Sequence, residues 1–124
     1  MNKKYLVLPV LLGFMVFGSS NLMAATALQE MVEIMLHLHH YPSDAEKETL
    51  QKIANDSSVS ENQRTIASAL MKMHHKVTDA DKEKLEKISN SSDASAAERE
   101  VAGILANMHH KASAADREKL EKLE

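Results

Sequence analysis

The residues of this chain with the clearest capacity for chemistry are its histidines, and they are regularly spaced. His-His occurs as His39-His40, His74-His75 and His109-His110, with 35 residues from His39 to His74 and 35 again from His74 to His109. His37 is the seventh histidine. Imidazole nitrogen suits Zn, Cu and Ni, while thioether sulfur favours Cu(I) and, by the same softness, Ag. Met35 and Met71 stand four residues ahead of His39 and His75, a spacing that shares one helix face. The candidate metal ligands are therefore His37, His39, His40, His74, His75, His109, His110, Met35 and Met71. The two methionines occupy different columns of the repeat, and the third unit has Leu105 and Ala106 in those columns, so no complete Met-His chelate recurs. A methionine at core spacing is more often packing.

A constant interval marks an internal repeat, here with units 25–59, 60–94 and 95–124. In the first half of each unit apolar residues fall at Met31, Ile34, Met35 and Leu38, at Ile66, Ala69, Leu70 and Met73, and at Val101, Ile104, Leu105 and Met108. That periodicity is one face of an amphipathic helix, helix A. Capping pairs precede each stripe at Thr26-x-x-Gln29, Ser60-x-x-Gln63 and Ser95-x-x-Glu98. A second set of start signals, Ser43-x-x-Glu46, Thr78-x-x-Asp81 and Ser113-x-x-Asp116, opens a helix B just after each dyad. Helix A is expected to end within a residue or two of the dyad, supported in the first unit by Pro42. Helix B carries a narrow apolar stripe and the i,i+4 pairs Glu48-Lys52, Glu83-Lys87 and Glu118-Lys122, a solvated face. The expected fold is all-α. Three tandem antiparallel helical hairpins stack as a small α-solenoid or a compact six-helix bundle.

Carrying helix A through the dyad on a helical wheel, at ~100° per residue, puts the first histidine beside the core and the second facing away. Adjacent residues then diverge too far to chelate one ion, so the ligands must come together between units rather than within one. A structural role competes with this: a histidine in a last helical turn interacts favourably with the helix dipole. Across the turn it also faces an acidic residue, as His39-Glu46, His74-Asp81 and His109-Asp116. A third reading treats the array as a protein-interaction module whose histidine edge changes charge near pH ~6.5.

The N-terminus points to export. Two lysines, the uncharged run Tyr5 to Phe17 and the small and polar residues that follow have the order of a secretory signal peptide, 1–24, cleaved after Ala24 with Ala25 as the next choice. The expected location is periplasmic or secreted, with no membrane span after cleavage. Removing Lys3 and Lys4 from the 15 basic residues leaves 13 against 18 acidic ones, a formal charge of −5. An acidic chain whose one aromatic residue beyond the leader is Tyr41 argues against nucleic-acid binding. The absence of cysteine removes disulfides and thiolate sites. Neither a CxxCH haem attachment sequence nor a glycine-rich phosphate loop is present, and no nucleophile stands at an interpretable distance from a base. The expectation is thus a non-enzymatic exported binding protein for Cu, Ag, Zn or Ni, or alternatively an adaptor. Its expected partners are a protein of the cell envelope and a second copy of the chain.

Overall fold

The computed structural model describes residues 27–124, so the leader, its cleavage site and the Thr26 cap lie outside the described residues. Six helices make up the described chain, with no strand among them: α1 at 27–37, α2 Asp44–Ala54, α3 Glu61–Lys72, α4 Asp79–Ser89, α5 Ala96–Asn107 and α6 Ala114–Glu121. Among these residues no helix is long and apolar enough to cross a membrane.

From α2 to α6 each start is set by a hydroxyl that accepts an otherwise orphaned amide hydrogen of the first turn. Ser43 accepts from the Glu46 amide while the Glu46 carboxylate accepts from the Ser43 amide at 2.9 Å, and Ser95 and Glu98 do the same. Ser60, Thr78 and Ser113 each accept from the amide three residues on. The residue before each B-helix cap, Pro42, Val77 or Ala112, is buried and fixes where the helix enters the core.

The A helices supply most of that core, with Met31, Met35, Ile66, Leu70, Val101 and Leu105 wholly buried. Each B helix adds one fully buried leucine, Leu50, Leu85 or Leu120. Full burial of such side chains stabilises by roughly 1.5–3 kcal/mol each. The outer faces carry the ion pairs Glu48–Lys52, Glu83–Lys87 and Glu118–Lys122 at 3.8 to 3.9 Å, all strongly exposed. Pairs of this kind contribute only about 0.3–0.5 kcal/mol.

The packing of α2 with α3 and of α4 with α5 is much fuller than that of α3 with α4, the A and B helices of the second unit. The connections explain this. Between B and A the chain turns tightly at Asn55 and Asn90 (both φ −100, ψ 1), whose amides donate back to helical carbonyls. Between A and B it leaves in extended conformation, at Met73 (ψ 147) and Met108 (ψ 135). Gly103 permits the close approach of α5 to α4: a Cβ there would lie 3.0 Å from Ser89 Oγ. The third unit also reaches the first, because the Arg117 guanidinium donates to the Leu36 carbonyl at 2.6 Å, near the C-terminal end of α1.

Two polar side chains, Gln63 and Glu98, are buried among the A-helix starts. Glu98 accepts from the Ser60 hydroxyl (2.8 Å), the Asn62 amide (3.2 Å), the Gln63 amide (3.0 Å) and the Ser95 backbone (3.1 Å). Burial works to raise its pKa, but these donors outweigh it and hold the carboxyl below its ordinary value. Glu98 is thus more than a cap: it ties α5 to α3.

Candidate metal centre

Helix A stops two residues short of each dyad, at 37, Lys72 and Asn107, and the last apolar residue of its stripe, Leu38, Met73 or Met108, is buried as an anchor. The dyads therefore lie in loops. Both histidines of each are exposed, so the placement of the first beside the core is corrected: the helix has ended, and the residue before it takes the core position.

The loops are joined through their backbones. The His75 amide donates to the His40 carbonyl at 2.8 Å, and the His110 amide to the His75 carbonyl at 2.6 Å. To present those groups, His75 and His110 adopt left-handed backbone, φ 66 and 65, and they are the non-glycine residues with positive φ among the described residues. That conformation costs an L-residue about 1–2 kcal/mol, although histidine tolerates it better than most.

The side chains of the second histidines consequently meet. Nδ1 of His110 lies 2.9 Å from Nδ1 of His40 and 2.9 Å from Nδ1 of His75. The three rings pack edge to face with centroids 4.7 to 5.0 Å apart. One ligand atom from each of the three falls within 4.8 Å of the others, and all three residues are exposed. Two nitrogens bound to one ion at ~2.0–2.1 Å are ~2.9 Å apart at a right angle and ~3.3 Å apart at the tetrahedral angle. The two short pairs therefore match the lower end of metal-ligand spacing.

Without an ion this arrangement is frustrated. A ring nitrogen offers either one N–H or one lone pair, so Nδ1 of His110 cannot make two well-formed hydrogen bonds to two other ring nitrogens. Extra protons are disfavoured too: desolvation among the rings, then charge on His75, His40 and His109, holds His110 below the ordinary imidazole value. The neutral, ligating form is favoured.

The other candidates go elsewhere. His74 stacks on Tyr41 with centroids 5.1 Å apart and planes at 29°. The His37 Nδ1–H donates to the Glu33 carbonyl at 2.9 Å, and this ring is the one that approaches a carboxylate among the described residues, 4.0 Å from Glu33. The expected pairs to Glu46 and Asp81 do not form, since Glu46 is held by the Ser43 amide and Asp81 stands 3.4 Å from Lys72 Nζ. Nor does His109 reach Asp116, and His39 and His109 stay exposed outside the triad. Met35 is wholly buried, and Met71 lines a groove with Gln51, Arg64 and Asp81, so neither thioether joins the cluster.

The particular triad, one second-position histidine per unit, was missed by the helical wheel. A usable signal exists in the sequence: Leu38 and Pro42, like Met73 and Val77 or Met108 and Ala112, are apolar anchors four residues apart on either side of the dyad. A segment pinned at both ends with a helix start after it must bulge outward. Comparison with family models, with curated proteins and with solved structures gave no match.

Proposed function

We propose that this chain is an exported, non-enzymatic helical-repeat protein that binds one transition-metal ion through His40, His75 and His110. The observation that carries this reading is the placement of His110 Nδ1 at 2.9 Å from both other Nδ1 atoms, a contact that one cation at the centre would satisfy and hydrogen bonding would not. Three nitrogen donors without sulfur favour Zn, Cu(II) or Ni over Cu(I) and Ag. The meeting of all three units at one point, with the Arg117 link from third to first, favours a compact six-helix bundle over an open solenoid. Export rests on the charge and hydropathy order of residues 1–24.

Calorimetric titration of the mature, tag-free protein with Zn, Cu, Ni and Ag ions tests the reading. One ion per chain is expected, lost in His75→Ala and retained in His39→Ala. Binding no tighter than millimolar for every ion would refute it. A second reading, a contact surface for an envelope protein, draws on Tyr41, the exposed large apolar residue of the described chain (52%), which lies beside the triad loops. Capture of a defined partner that Tyr41→Ala abolishes, with no metal dependence, would favour that reading instead.

A further inference from the structure

We propose that the ion at this centre keeps a coordination position open to solvent and takes a small monodentate anion there; this rests on the triad holding an ion. Sites that only stabilise a fold surround zinc with four protein ligands, whereas sites that bind or activate an exogenous ligand supply three and leave a position free. The cluster here has three donors, and no further imidazole or carboxylate joins it among the described residues.

Most groups able to supply a fourth ligand are engaged or buried elsewhere, and His39 and His109, though exposed, lie outside the cluster. His74 lies on Tyr41, His37 on the Glu33 carbonyl, Glu46 on the Ser43 amide and Met35 in the core. The backbone ladder from His40 through His75 to His110 ties the three ligand-bearing loops side by side, and all three histidines remain exposed, so the solvent side is uncovered. Charge selects the ligand class. Three neutral imidazoles leave a divalent ion with its full charge, because no carboxylate belongs to the set. Lys76 and Lys111, the exposed residues that follow two of the ligands, add to the positive field. An anion is therefore favoured over a neutral donor at the vacant position.

The test uses cobalt(II) as a spectroscopic stand-in for zinc and azide as the probe, with native mass spectrometry to count chains and ions. The expected result is one cobalt per chain and a visible spectrum that shifts saturably on azide addition. In the Lys76→Ala, Lys111→Ala double variant azide affinity should fall severalfold while cobalt binding is not weakened, since the lost positive charge can only ease binding of the dication. A one-to-one cobalt complex whose spectrum is indifferent to azide would overturn the open position and leave the metal reading standing. Two chains sharing one cobalt would overturn it as well, since a second copy would then fill the vacancy. Failure to bind cobalt, zinc, copper or nickel at all would remove both readings together.

Discussion

At the scale of single residues, His75 and His110 are under two demands that pull in different directions. Their backbones sit in the left-handed region, where asparagine or glycine is at home, yet their side chains form the triad. A residue kept in costly geometry at a cluster of ligand atoms is the pattern expected where function outweighs stability. Replacing either histidine with asparagine separates the two. His75→Asn and His110→Asn should hold apo stability within about 1 kcal/mol of the parent, or raise it, and should abolish metal binding. Denaturant melts beside calorimetric titration check this, and a large loss of apo stability would assign the imidazoles a packing role. The dyads and their interval were plain in the sequence. Which member of each dyad joins the triad was not, because that depends on a left-handed turn that periodicity does not encode.

The helices read well because their signals are local. Every B-helix cap and the caps of α3 and α5 form at the serines and threonines that the sequence marks, since a hydroxyl ahead of an apolar stripe needs only its own first turn. Partnership between helices was harder to read. The pairing of α2 with α3 and α4 with α5 turns on whether a connection is tight or extended, and the polar loops look alike in composition. Glu98 illustrates the gap: its capping bond was legible, while its three side-chain donors on and beside α3 are tertiary. Glu98→Ala should cost about 2–3 kcal/mol, because buried donors lose a charged acceptor. Since its folded pKa lies below the ordinary 4.5, the stability it supplies is fully present above that value and is lost as pH falls through the folded pKa. Melts of parent and variant should therefore converge in acid, and a pH-independent gap would refute the assignment.

For the molecule as a whole, the proposed ion and protons would compete for the same nitrogens, and both would be linked to folding. An ion that binds only the folded chain should stabilise it by about 2.7 kcal/mol at one hundred times its dissociation constant. Scanning calorimetry should show the melting temperature rising with metal concentration in the parent and not in His75→Asn. The apo protein has its own pH dependence. His110 is depressed from 6.5, so below that value the unfolded chain takes up a proton that the folded chain resists. Stability contributed there is present above pH 6.5 and falls as pH drops towards the folded pKa. Metal affinity should decline in the same direction, as ligation needs neutral rings. His110→Asn should flatten that part of the apo profile, and an unaltered profile would place the titrating group elsewhere.

The ladder that runs from His40 to His75 to His110 gives tandem duplication a chemical meaning. On the proposed metal reading, one histidine copied with its unit would become a set of donors whose number equals the number of copies. Denticity would then follow repeat count: two units would offer a weak pair, and a fourth would have to crowd the set or stand outside it. Gain or loss of a single unit would thus change ion preference in one step, with no substitution at any ligand.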